Sequence, residues 1–342
     1  MILIEDSRNQ FKTSSFSNYK KREISKNLIL AIYYGKLEET LFWTFEMVCS
    51  NMILELWNSY FILMSKYIHV YNPRLPLYIL KKYNDFREIA MKYENDFRLR
   101  NDPTIRMLFG TISLILCFSQ KFSILDDIVY KFNFQIENLY ENLKAPHIKY
   151  IDFVYLQSDP KEYIIPFNEL VYHLQETEQK TDIHFWINWI IQYDTLCRKK
   201  KKIILCQQRE LFMDKNDKLS KNIIWVIWDI LLKMSKKQSH VEVRKIIQAL
   251  FDLFTIKYLI SCNKSRIHLI YHSIELILLK GHVDFSVELL KKKEMLATLE
   301  DNIQIIFEQI KKNEVNIIDD SKMTKQEKKL DLYKNIYNNL ST

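Results

Sequence analysis

Only three glycines, Gly35, Gly110 and Gly281, occur in 342 residues, where average usage of about 7% would supply roughly two dozen. Glycine enters the left-handed backbone region without a Cβ penalty. Its scarcity disfavours tight hairpins, phosphate-cradling loops and nucleophile elbows. With six prolines as well, long helices joined by short polar links are the expected product. The sequence therefore reads as all-α. Neither GxxxxGK[ST] nor GxGxxG is present, so a P-loop ATPase or a Rossmann dinucleotide site is not expected.

Hydrophobic content of 48% against 27% charged residues leaves ample material for a core. From Glu23, Leu28, Ile29 and Ile32 share a helical face, and Gly35 supplies a stop. A second helix from Leu37 buries Leu41, Phe45, Val48 and Cys49. A third carries Ile53, Leu56, Trp57, Tyr60, Leu63, Met64 and Tyr67 at helical spacing and runs to about Tyr71. Pro73 and Pro76 interrupt it, and helix resumes from Leu77 to Glu94. Asn101-Asp102-Pro103 reads as a capped start for Thr104 to Ser119.

Beyond about 121 the pattern weakens, with Pro146, Pro160 and Pro166 as breaks and Ile148 to Tyr155 matching a short strand. Helices are then expected over 167–178, 182–205, 218–236, 240–260, 263–280, 283–312 and 323–340. The resulting organisation is a flexible arm (1–23), a helical domain (24–132), an irregular linker (133–166), a basic helical domain (167–312) and a peripheral C-terminal helix (313–342). Trp186-Ile187-Asn188-Trp189 and Trp225-Val226-Ile227-Trp228 share a WxxW core 39 residues apart. That period is HEAT-like. The competing reading is two amphipathic helices whose tryptophans both face the core.

The formal charge of +8 is concentrated: residues 195–293 hold 21 Lys and Arg against 9 Asp and Glu, whereas 133–194 hold 4 against 10. Clustered cations gain affinity for nucleic acid by releasing its counterions. The candidate phosphate contacts are Arg198, Lys199, Lys200, Lys201, Lys202, Lys264, Arg266, Lys291, Lys292 and Lys293. The alternative is a solvated helix end, where lysines complement the dipole.

Catalytic chemistry is sparse. His268 and His272 are four apart with Glu275 following, but HExxH is absent because Leu269 follows His268. Asp126-Asp127 and Asp319-Asp320 are adjacent pairs, which diverge by about 100° on a helix and so make no ready two-carboxylate site. Cys49, Cys117, Cys197, Cys206 and Cys262 are widely spaced without CxxC, which favours free thiols and a reducing compartment. No catalytic residue, metal or cofactor is assigned, and the expected role is non-enzymatic. The N-terminus lacks the pattern of a signal peptide, and no uncharged apolar run reaches about 18 residues, so no membrane span is expected.

Two resemblances add to this. Lys36-Leu37-Glu38-Glu39-Thr40-Leu41-Phe42-Trp43, Leu56-Trp57, the run Met64 to Pro73, and Asn101-Asp102-Pro103 through Leu116 to Lys121 resemble the collar region of clamp-loader-like AAA+ replication and recombination ATPases. The resemblance implies an α-helical oligomerisation module. It departs from that pattern at Lys66, Tyr67 and His69, and the ATPase core that should precede the collar is missing. Over roughly 24–280, the segments Ala31 to Glu39, Asn72 to Ile79, Ile224 to Asp229 and Arg266 to Tyr271 resemble a family of proteins of large nucleocytoplasmic DNA viruses of the mimivirus kind. That family brings no established activity to transfer. It implies a viral protein of the host cytoplasm or viral factory, a helical scaffold with protein partners in replication, repair or transcription. The alternative is a virion or assembly-structural protein, packaged in the particle.

Overall fold

The computed structural model describes residues 2–6, 11, 13–122, 130–134, 136–237 and 240–315. Among them the chain is all-α, and its only β-type pairing is an isolated bridge between Ser14 and Lys20. The first part comprises α1 (Lys21–Tyr33), α2 (Leu37–Cys49), α3 (Ile53–Ile62), α4 (Leu75–Ala90) and α5 (Pro103–Phe118). A π-helical turn, Leu63–Ile68, extends α3. Asp102 caps α5 as expected, its carboxylate accepting from the backbone N–H of Thr104 at 2.7 Å and of Ile105 at 3.1 Å.

The second part comprises α6 (Ile164–Tyr172), α7 (Lys180–Lys199), the short α8 (Asp217–Ser220), α9 (Ile224–Ser235), α10 (Val241–Thr255), the short α11 (Cys262–Ser265), α12 (Ile267–Leu278) and α13 (Leu299–Lys311). Ile148 to Tyr155 is not a strand: a 3₁₀ turn covers Ile148–Ile151 and turns follow. Among the described residues its alternation of β-type residues has no neighbouring strand to pair with, and backbone groups without a ladder default to local turns. The expected helix over 283–312 is also shortened, because only 3₁₀ turn Lys293–Leu296 and α13 form within it. The expected 323–340 helix and both adjacent Asp pairs lie outside the described residues.

Helix ends show how the chain manages with so little glycine. After α1, Gly35 (φ +70°) donates to Ile32 O at 3.2 Å and Lys36 donates to Ala31 O at 2.9 Å, a Schellman closure. The same paired bonds close α2 around Asn51 (φ +53°) and α7 around Lys201 (φ +61°). Asparagine tolerates this region; lysine adopts it against a Cβ penalty. Thus α7 stops at Lys199 instead of running on to 205.

The two parts share one core, which runs from Ile4 to Ile310. The helix α13 packs on α2 and α5, α10 on α4, and α12 on the π turn, so elements on both sides of the 133–166 segment bury common surface. At the α5–α13 crossing Gly110 lets the helices approach: a Cβ there would stand 2.6 Å from Ile303 Cδ1. Trp57, Trp186, Trp225 and Trp228 are fully buried and Trp189 nearly so, so both WxxW motifs are core anchors.

Within 1–23, expected as a loose arm, several of the described residues are held against the helices. Ile4 and Phe16 are buried. The Ile4 backbone exchanges two hydrogen bonds of 2.9 Å with the Asn101 amide. Ser17 donates through N–H and hydroxyl to the buried Glu46 carboxylate, both at 2.7 Å. Sequence reading missed this because Phe11 and Phe16 stand singly among polar residues and the four-residue apolar start is too short to show a helical or strand period.

Candidate functional site

The structure divides the proposed phosphate contacts into four groups: one buried, three in ion pairs, five exposed without an ion pair among the described residues, and Lys292 over an aromatic ring. Arg266 is removed from candidacy: it is buried, donating to Phe254 O at 2.8 Å, Ile256 O at 2.6 Å and Asn58 Oδ1 at 3.1 Å, with its guanidinium over the Phe61 ring. Five bonding directions on a planar cation suit it to tying the carbonyls at the end of α10, not to solvent. Arg198, Lys202 and Lys293 are engaged in ion pairs, with Asp194 at 2.7 Å, Glu162 at 3.0 Å and Glu288 at 2.9 Å. The bond to Glu162 raises the Lys202 pKa, and burial raises that of Asp194 against the pull of Arg198.

Lys199, Lys200, Lys201, Lys264 and Lys291 are exposed and make no ion pair among the described residues. The first three end α7, and Lys264 lies on the segment after α10 that the last turns of α7 approach. Asp194 and Arg198, one turn back from the α7 terminus, lie within electrostatic reach of Tyr258. The Tyr258 hydroxyl donates at 2.6 Å to Asn263, next to Lys264. Lys257, next to Tyr258 in the chain and itself at φ +43°, is exposed as well. It escaped the sequence reading because it stands alone, not in a run.

Lys291, Lys292 and Lys293 belong elsewhere. Lys292 lies 4.4 Å above the Phe118 ring at the end of α5. Lys121 is close by, donating to Cys117 O and Ser119 O, and desolvation lowers its pKa to about 8. Among the described residues, then, exposed lysines end α7, and Lys292 and Lys121 stand by the end of α5.

A histidine cluster forms where the π turn, α7 and α12 meet, and only half of it was anticipated. His272 is fully buried and stacks on His69, with centroids 4.3 Å apart and planes at 27°. Neither ring nitrogen of His272 finds a hydrogen-bond partner among the described residues. His184 stacks on Tyr271 at 4.1 Å, and Tyr271 also meets the edge of His268. Lys180 pairs with Glu275 at 2.6 Å on the same face. Burial lowers the pKa of His69 and of His184 to about 4 and that of His272 well below its ordinary value. Lys180 and His268 push His69 and His184 further in that direction, while Glu275 opposes them at His184.

His69 also carries backbone strain. Its φ of +54° with ψ of −133° lies in a region that essentially only glycine occupies, at a typical cost of about 1–3 kcal/mol. A π turn ending at such a residue is held by its surroundings, here the His272 stack and the packing of α12. The i,i+4 pair His268 and His272 does not converge: one ring meets Tyr271, the other His69. Among the described residues no group of three or more His, Cys, Asp or Glu side chains is arranged to hold a metal ion.

The five cysteines are free and buried. Burial raises the Cys49, Cys117 and Cys206 thiols above their ordinary range, which opposes the thiolate a nucleophile needs. No helix among the described residues is long and apolar enough to cross a membrane. No protein-family model, no curated protein and no solved structure matches the chain.

Proposed function

We propose that the protein is a non-enzymatic helical interaction protein that contacts an anionic polymer, nucleic acid, through the surface at the α7 terminus. The observation that carries this reading is the run of exposed cations Lys199, Lys200 and Lys201 ending α7, with exposed Lys257 and Lys264 flanking the Tyr258–Asn263 pair that Asp194 and Arg198 of α7 approach. Flexible lysines at a helix end suit phosphate charge without base specificity, because an ammonium acts as a point charge on a mobile stem. On the resemblance to proteins of large DNA viruses, the polymer would be nucleic acid handled during replication, repair or transcription.

The test is fluorescence anisotropy of labelled duplex and single-stranded DNA and RNA between about 50 and 200 mM salt. A log affinity that falls steeply with log salt is expected. Replacing Lys199, Lys200 and Lys201 together with Ala should flatten the duplex slope by about 3. Binding that ignores salt, or a triple variant with the wild-type slope, would remove this reading.

A further inference from the structure

A groove of opposite character lies between α2 and α13, lined by none of the lysines at the α7 terminus. Its cavity of about 240 Å³ is lined by Glu38, Glu39, Phe42, Trp43, Ile306 and Gln309. Two carboxylates and two aromatic rings line it, and among the described residues no cationic side chain does. The α2 spacing sets the arrangement. Glu38 stands one turn before Phe42 and Glu39 one turn before Trp43, so each acid shares a helix face with one ring.

The rings are held firmly. Phe42 and Trp43 pack edge to face with centroids 5.1 Å apart and planes at 81°, and Tyr19 of the docked arm packs against both at 6.1 and 5.0 Å. Lys36 occupies Glu39 at 2.8 Å, whereas Glu38 makes no ion pair among the described residues. The cavity is smaller than the roughly 300–1,000 Å³ usual for small-molecule sites and suits a single side chain.

We propose that this groove binds a lysine or arginine side chain presented by a protein partner. An ammonium or guanidinium would rest over the aromatic faces while its charge is met by the Glu38 and Glu39 carboxylates, and the aliphatic stem would lie along Ile306. Charge complementarity selects a basic peptide over nucleic acid: phosphate is repelled by the two acids. The assignment is independent of the lysine surface at α7, because it concerns other residues and a partner of opposite sign.

The experiment uses the full chain, ¹⁵N-labelled at tryptophan, with the Trp43 indole resonance identified by loss in Trp43→Phe. The probes are capped Gly/Ser peptides carrying one central arginine, lysine or citrulline. Arginine or lysine peptides should shift the Trp43 indole saturably, and the neutral citrulline peptide should not. Glu38→Gln with Glu39→Gln should weaken binding about three- to tenfold. The same variant should leave DNA affinity and melting temperature unchanged, since both carboxylates are exposed. The Lys199–Lys201 variant should bind the arginine peptide as the wild type does. An equal shift by citrulline, no shift by any peptide, or undiminished affinity in the Gln variant would overturn the assignment. DNA titration that moves the Trp43 indole while peptides do not would overturn it too.

Discussion

Lowering the pH from 7 to 5 tests the buried histidines most directly. In the unfolded chain an imidazole protonates near 6.5; in the folded chain desolvation holds His69 and His184 down at about 4. Between those values the unfolded state binds more protons, so stability is lost as pH falls through 6.5, and the loss is complete near 4. At pH 5 each group stands about 1.5 pH units below its unfolded value, which is about 2 kcal/mol each and about 4 kcal/mol for the pair. His272 adds to the loss with the same sign. Domains are typically stable by about 5–15 kcal/mol, so the cluster alone should consume a large share.

Other buried groups contribute with the opposite sign. Burial raises Glu169, Asp194 and Asp252, which therefore gain protons in the folded state first and resist acid unfolding. The informative quantity is thus the difference between wild type and His184→Phe, which keeps an aromatic ring against Tyr271 but cannot titrate. Urea unfolding followed by tryptophan fluorescence and far-UV circular dichroism should be run at pH 7.5, 6.5, 5.5 and 5. The variant should lose about 2 kcal/mol less than wild type across that span. Removing the His184 charge also relieves His69, which works in the same direction. Parallel profiles for the two proteins, or a wild-type profile flat from pH 7 to 5, would show that the cluster does not bury neutral imidazoles.

Two further substitutions test the helix ends and the buried cation. Lys201→Gly should stabilise the chain by about 1 kcal/mol in urea unfolding, since glycine removes the Cβ penalty at φ +61°; a loss of stability would mean that the lysine stem contributes packing that outweighs its strain. Arg266→Ala should cost about 3 kcal/mol or more, because Phe254 O and Ile256 O lose their buried charged donor. It should leave the DNA affinity of the folded fraction unchanged, and a selective loss of binding by the folded protein would return Arg266 to the phosphate surface.

The parts of the fold that were legible in the sequence are those written in local chemistry. Asp102-Pro103 announced the start of α5, Gly35 the end of α1, and apolar spacing the buried faces of α2 and α3. The end of α7 was illegible because Lys201 takes a backbone conformation that composition assigns to glycine. Ile148 to Tyr155 looked like a strand because β-branched and aromatic residues alternate there, yet propensity yields when no partner strand exists. Ten candidate phosphate contacts were chosen by clustering in the chain, a criterion that cannot tell Lys200 in solvent from Arg266 under Phe61. His69 and His184 lie far in sequence from His272, so only tertiary packing could reveal their company.

The return of α13 to cover α2 and α5 bears on synthesis as well as on shape. During translation the first five helices leave the ribosome long before Phe307 and Ile310 can reach Phe45 and its neighbours. Until then the inner faces of α2 and α5 stand open, so a nascent chain should stay chaperone-dependent and protease-sensitive until α13 clears the exit tunnel.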